Sequence, residues 1–162
     1  GSLAFIHGRL QVGEAMSPPL IKAARAPAKV NGVVIIDSPP GTSCPVIASI
    51  KGSDFCILVT EPTPFGLNDL ELAVEVVFEL GIPAGVVINR SDIGDLAVKE
   101  FCQRRNIPIL LEIPEDRKIA EAYSRGQMII DIIPAYRDKF KELYATIEDI
   151  STGITGITDQ TG

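Results

Sequence analysis

Short apolar runs separated by amphipathic segments recur along the chain. Four of these runs are rich in β-branched residues and have the length of buried parallel strands. They cover Val33 to Asp37, Phe55 to Thr60, Gly85 to Asn89 and Ile107 to Ile113. Successive runs start about 22 to 30 residues apart, which leaves room for a crossover helix between them. Alternating strands and helices predict an α/β fold with a doubly wound, mostly parallel sheet.

The longest amphipathic segment runs from Leu67 to Leu80. Its apolar side chains recur at three- and four-residue spacing, while Glu71, Glu75 and Glu79 form a separate acidic stripe. This pattern predicts a helix with one buried and one solvated face. Gly81 follows the segment and can take the left-handed backbone conformation that ends a helix.

Weaker patterns predict the remaining elements. The helices are expected over Ser17 to Arg25, Asp95 to Arg105, a segment after Pro114 that ends at Gly126, and Pro134 to Asp149. In the segment after Pro114, Ile119, Ala120 and Tyr123 are expected to face inward. Asn106 is expected to end its helix in the left-handed conformation. A small hairpin is predicted over Ala4 to Val12.

Composition limits the class of protein. Of the 162 residues, 46% are hydrophobic, too many for a disordered chain, and no apolar run approaches the roughly 18 residues of a membrane span. The net charge of −6 and the absence of a Lys/Arg cluster argue against general nucleic-acid binding. Cys44, Cys56 and Cys102 cannot all pair, which favours a reducing, cytoplasmic location. We assign residues 3–150 to one domain and residues 151–162 to a disordered, Gly- and Thr-rich tail.

Polar residues follow the strands at the edge of the sheet where ligands of such folds bind. Asp37 ends the first apolar run, and the turn after it contains Gly41, whose amide could face a phosphate. A strand-end carboxylate can hold a metal-bound water, so this segment suits an Mg²⁺-nucleotide site. A carboxylate that only caps the next turn is a competing interpretation of Asp37. Asn89 ends another run, and its amide either matches the donor and acceptor of an adenine edge or forms a turn.

The segment Val33 to Pro45, with the sequence VVIIDSPPGTSCP, resembles the Walker B and switch II segment of the MinD/ParA/Mrp group of deviant P-loop ATPases. Further segments follow in the order and spacing of that family. They are Glu61 to Leu70, Val86 to Arg90 and Ile113 to Asp116. The stretch Gly8 to Ala26 resembles the segment that follows an inserted ferredoxin domain in one branch of the family. The resemblance covers about Leu10 to Ile150 and is strongest to that branch.

This resemblance implies roles for single residues. Asp37 would assist Mg²⁺ and the attacking water, and Gly41 would be the switch amide that senses the γ-phosphate. Asn89 would hydrogen-bond the adenine edge. Arg90 would lie beside the base or ribose, although a surface salt bridge is a competing interpretation. The residues that would line the adenine pocket are Pro114 and Glu115.

The phosphate-binding loop of this family is not found in the sequence, since no Gly-Lys pair occurs in the 162 residues. A ferredoxin-type cysteine cluster is also absent from the sequence. We therefore expect the chain to be the C-terminal half of a longer Mg²⁺-ATPase associated with an Fe–S ferredoxin module. ATP and Mg²⁺ would be bound by the intact parent and the cluster by the insert. The chain alone is expected to be inactive and to bind no cofactor tightly.

A second interpretation is a non-catalytic interaction or assembly module derived from this fold. A sheet without its P-loop strand exposes a strand edge, so self-association is expected. An Fe–S or electron-transfer protein is the expected partner of the parent, although the sequence lacks the C-x-x-C of the Fe–S carrier branch. Cys56 and Cys102 are expected in the core, and Cys44 is expected to be a small buried or capping residue.

Overall fold

The computed structural model describes residues 4–8, 17–26 and 32–155. The chain forms two compact units, residues 1–53 and residues 54–162. No helix within the described ranges is long and apolar enough to cross a membrane.

In the first unit, helix α1 (Ser17–Arg25) packs against helix α2 (Cys44–Ile50). The Arg25 guanidinium donates hydrogen bonds to the carbonyl oxygens of Ala48 and Lys51, at 3.1 and 2.8 Å, and so satisfies acceptors at the end of α2. The helix predicted to begin at Ser17 is confirmed. Residues 4–8 of the predicted hairpin form no strand, and its residues 9–12 lie outside the described residues.

The strand predicted over Val33 to Asp37 is wrong. These residues have no strand hydrogen bonding, and the side chains of Val33 and Ile35 are 65% and 90% exposed. A β-branched run favours extended backbone, but a strand also needs a neighbour that accepts and donates its backbone hydrogen bonds. The described part of the chain provides no such neighbour for this run.

In the second unit, three strands form a parallel sheet. The strands are β1 (Cys56–Thr60), β2 (Ala84–Asn89) and β3 (Ile109–Ile113), in that spatial order. The helices are α3 (Pro64–Glu79), α4 (Ala97–Arg104), α5 (Arg117–Ser124), α6 (Ile129–Ile132) and α7 (Ala135–Thr155). The predicted α/β class with a parallel sheet is confirmed, and the arrangement is consistent with part of a P-loop nucleoside-triphosphatase fold.

The core of this unit lies between the sheet and helices α3 and α4. Leu70 and Val74 of α3 pack with Val86 and Ile88 of β2, and all four side chains are buried. The predicted inward face of α3 is therefore confirmed. Its acidic stripe is exposed, as the amphipathic pattern indicates. Because β2 is covered, the polar residues that follow it are held at a fixed edge of the sheet.

The two predicted helix ends are confirmed by backbone conformation. Gly81 has a φ of 65° and Asn106 a φ of 52°, so both lie in the left-handed region. A proline follows each of them within two residues and prevents the helix from continuing. These joints set where β2 and β3 begin.

The inward face predicted for α5 is partly wrong. Ile119 is half-buried and Ala122 is buried, whereas Ala120 is exposed and Tyr123 is 85% exposed. Ile119 and Ala122 are three residues apart and share a face, which lies next to the face chosen from the sequence. Helix α7 continues to Thr155, past its predicted end and into the predicted tail, whose residues 156–162 lie outside the described residues.

Candidate functional site

The carboxyl ends of the three strands meet at one edge of the sheet. Thr60 of β1 pairs with Ile88 of β2, and Asn89 pairs with Ile113 of β3. The Ser91 amide also donates to the Ile113 carbonyl oxygen at 3.0 Å, which extends the pairing past the end of β2. The polar residues that follow the strands therefore lie side by side, as parallel pairing requires.

Arg90 lies at the centre of this edge, between two carboxylates. Its Nη1 is 3.6 Å from Glu61 Oε2, and its Nη2 is 3.2 Å from Glu115 Oε1. The three side chains are 39% to 48% exposed, so these ion pairs position the groups more than they stabilise the fold. Arg90 has a φ of 52°, a conformation that costs energy for a residue with a Cβ and is enriched at functional sites.

Asn89 is tied to the same network. Its Nδ2 donates to Glu61 Oε1 at 3.4 Å. On the other side, the Glu115 amide donates to Asp92 Oδ1 at 2.7 Å, which fixes the turn after β3 against the turn after β2. The structure thus brings together Asn89, Arg90 and Glu115, three of the residues that the resemblance places in an adenine pocket, and Pro114 precedes Glu115 in the same turn.

A polar cleft of about 410 Å³ lies beside this network, between the end of β1 and the start of α3. Its lining residues are Val59, Thr60, Glu61, Thr63, Gly66, Asp69 and Asn89. Thr63 caps α3, since its Oγ1 accepts from the Gly66 amide at 3.0 Å. A Cβ at Gly66 would overlap the Glu61 carbonyl oxygen, so only glycine allows the helix to begin this close to the strand end.

Asp37 and Gly41 lie in the first unit, and both are exposed. Gly41 has a φ of 93°, a conformation that favours glycine and turns the chain toward α2. Within the described residues, no group of three His, Cys, Asp or Glu side chains could hold a metal ion.

Two residues of the network are absent from the sequence-predicted site. Glu61 and Asp92 each follow a strand, but an exposed carboxylate at a strand end is common and gives no signal alone. Their partners, Asn89 and Glu115, belong to other strands and turns, so the pairing depends on the register of the sheet. The strand-end position of Glu61 was the one available signal.

The cysteine predictions had mixed outcomes. Cys102 is buried and Cys56 is half-buried, and burial raises the pKa of both thiols. Cys44 is exposed at the start of α2, and the N-cap of that helix is Ser43, so the expectation of a buried or capping residue is wrong. A position at the first turn of a short helix leaves a side chain in solvent unless another element covers it.

No protein-family model matches the sequence. The chain is similar to an uncharacterized protein from Methanocaldococcus jannaschii, with 30% identity over 93% of this chain and 50% of that protein. It is also similar to an iron-sulfur cluster carrier protein from Rickettsia bellii, with 28% identity over 62% of this chain and 33% of that protein. A third relative is an uncharacterized ATP-binding protein from M. jannaschii, with 30% identity over 60% of this chain and 38% of that protein.

The chain spans about half the length of the curated relatives that it matches over most of its own length. Its distant relatives include an iron-sulfur cluster carrier protein and an ATP-binding protein. These similarities support the P-loop ATPase relationship that the motifs indicate. The branch with an inserted ferredoxin domain stays a prediction.

Proposed function

We propose that this chain is the switch II and adenine-binding part of a MinD-like Mg²⁺-ATPase that works in the cytoplasm with an Fe–S ferredoxin module. Asn89 and Arg90 would contact the adenine and ribose, Pro114 and Glu115 would line the pocket, and Asp37 and Gly41 would serve the phosphate end. ATP and Mg²⁺ would belong to the full-length protein. Relatives described as an iron-sulfur cluster carrier and as ATP-binding support this assignment.

The observation that carries the proposal is the position of Asn89 at the end of the central strand β2, where its amide is hydrogen-bonded to Glu61. An asparagine amide can donate to N7 of adenine and accept from its amino group at the same time. Asn89 is half-buried at the carboxyl edge of a parallel sheet, where ligands of such folds bind. A side chain of this kind, held by a neighbouring carboxylate, is suited to reading a base edge.

The charges of the network favour binding of the base and ribose of a nucleotide over binding of its phosphates. Arg90 is paired with both Glu61 and Glu115, so its positive charge is balanced before any ligand binds. The cleft beside it contains a further carboxylate, Asp69. Carboxylates repel phosphates but accept hydrogen bonds from ribose hydroxyls. Phosphate binding would therefore fall to other groups of the full-length protein.

The proposal is tested by nucleotide titration of the full-length protein encoded by the gene. Equilibrium dissociation constants for ATP and GTP would be measured for the wild type and for Asn89→Ala. We expect the wild type to prefer ATP, and the substitution to weaken ATP binding about tenfold while leaving GTP binding nearly unchanged, because only adenine presents a donor to the amide oxygen. Gln103→Ala, which removes an exposed amide on α4, is the matched control.

Equal affinities of the wild type for ATP and GTP, or unchanged ATP binding by Asn89→Ala, would contradict the proposal. A full-length protein that binds neither nucleotide would favour the second candidate, a non-catalytic interaction module. That candidate has support in the apolar surface of the second unit. Phe65, at the start of α3, is 85% exposed, and large exposed apolar side chains often mark contact surfaces.

A further inference from the structure

We propose that Glu61 is a positioning residue that fixes the orientation of the Asn89 amide and thereby makes the site select adenine over guanine. The proposal rests on the proposed function, since it assigns a specificity role within the same site. Glu61 follows β1, whereas Asn89 ends β2, so the two side chains meet only because these strands pair in parallel.

The hydrogen bond between the two side chains can form in only one direction, from the amide to the carboxylate. An ionised carboxylate only accepts hydrogen bonds, while an amide has a donating and an accepting end of nearly equal size. Glu61 Oε1 lies 3.4 Å from Asn89 Nδ2. The reverse orientation would set the amide oxygen against a carboxylate oxygen, and two acceptors repel each other. Glu61 therefore holds the Asn89 nitrogen on its own side and leaves the Asn89 oxygen available on the other.

Glu61 is itself held from several directions. Its carbonyl oxygen accepts from the Thr63 amide at 2.8 Å, and its second carboxylate oxygen lies 3.6 Å from Arg90 Nη1. Thr60, which precedes it, is buried and donates to the Gly66 carbonyl oxygen at 2.9 Å. The backbone contacts fix the position from which the Glu61 side chain extends. The Arg90 ion pair restricts the carboxylate itself, so the orientation of the Asn89 amide is set before a ligand arrives.

A fixed amide orientation discriminates between purines. Adenine presents an amino donor at position 6 beside the acceptor N7, whereas guanine presents two acceptors. The Asn89 oxygen would accept from the adenine amino group, and the second hydrogen of Nδ2 would remain for N7. Guanine could bind equally well only if the amide presented donors alone, which the Glu61 contact opposes.

The test replaces Glu61 by glutamine in the full-length protein. Glutamine keeps the size of the side chain but offers either a donor or an acceptor, so the Asn89 amide can then take both orientations. The probes are ATP and inosine triphosphate, because these nucleotides differ on the base edge only at position 6 and N1. We expect Glu61→Gln to lower the preference for ATP over inosine triphosphate about tenfold, since one well-made bidentate contact discriminates by about that much.

Glu75→Gln is the matched control. It breaks the 2.7 Å ion pair between Glu75 and Arg105, which joins α3 to the end of α4, and should leave the preference unchanged. If Glu61→Gln does not fold, as judged by circular dichroism, Glu61→Met provides the same test because it removes the acceptor with a side chain of similar length.

The outcomes separate this inference from the function on which it rests. If the wild type prefers ATP and Glu61→Gln weakens the binding of ATP and inosine triphosphate equally, Glu61 has only a structural role. That result would overturn the inference while the proposed function stands. A wild type without measurable ATP binding would overturn both. A selective loss of the preference for ATP supports the inference.

Discussion

Arg90 combines a left-handed backbone conformation with two carboxylate partners. The conformation directs the side chain along the edge of the sheet, where Glu61 lies on one side and Glu115 on the other. Exposed ion pairs of this kind add little to the free energy of unfolding. The two pairs of Arg90 therefore do not offset the energy that its left-handed conformation costs. A binding role gives a reason to maintain it.

At the same scale, the three thiols are expected to differ in reactivity. Burial raises the pKa of Cys56 and Cys102, and the Cys102 side chain is also shielded from solvent, whereas Cys44 is exposed. Alkylation requires an accessible thiolate, so Cys44 should react first with iodoacetamide in the folded chain. Peptide mass spectrometry would measure the three rates. Equal rates in the folded chain, with the guanidinium-unfolded chain as control, would contradict this expectation.

The raised thiol pKa values also determine whether the stability of the fold rises or falls with pH. As the pH rises through the ordinary thiol range, the unfolded chain loses the protons of Cys56 and Cys102 before the folded chain does. The unfolded state is then favoured, so this contribution to stability is present at neutral pH and is lost as the pH rises through the folded pKa. At Cys102 a backbone hydrogen bond lowers the pKa and partly offsets the effect of burial.

Among the secondary-structure elements, those with a strong local signal were predicted well. The three strands of the sheet begin and end within about two residues of their predicted limits, because their apolar runs are bounded by residues such as Gly81 and Asn106 that end the preceding helices. Val33 to Asp37 has an equally strong pattern but no strand. Local propensity makes an extended backbone available, whereas pairing depends on residues elsewhere in the chain.

The same distinction explains which parts of the candidate site the sequence revealed. Asn89 and Glu115 were found through the strand ends and the family motifs that contain them. The sequence shows Glu61 only as a strand-end carboxylate and gives no signal for Asp92, because their hydrogen bonds join different strands and turns. Contacts of this kind depend on the register between strands, which a single sequence specifies only indirectly.

Helix α3 illustrates how one element positions part of the site. Its N-cap, Thr63, lines the cleft and accepts a hydrogen bond from the Gly66 amide. We expect Thr63→Ala to lower the free energy of unfolding by about 1 kcal/mol, because the amide then loses its partner. Thr63→Ser keeps the hydroxyl and should retain most of the stability. Urea unfolding followed by circular dichroism would compare them, and equal stabilities of the Ala and Ser variants would argue against the cap.

For the whole molecule, the three-stranded sheet leaves β1 and β3 as its edges. On β1, Ile57 and Val59 are 44% and 69% exposed, although residues of this type usually pack against another element. The chain matches only about half the length of its curated relatives.

The 162-residue chain alone is therefore expected to self-associate through β1. An unpaired strand edge with apolar neighbours is a ready partner for a second copy, and a charged side chain there opposes pairing. Sedimentation velocity over a concentration series should show a rising weight-average coefficient, which Val59→Lys should reduce. Leu72→Lys, which adds the same charge at an exposed apolar position of α3, is the control. A monomer at all concentrations, or an equal effect of both substitutions, would exclude association through this edge.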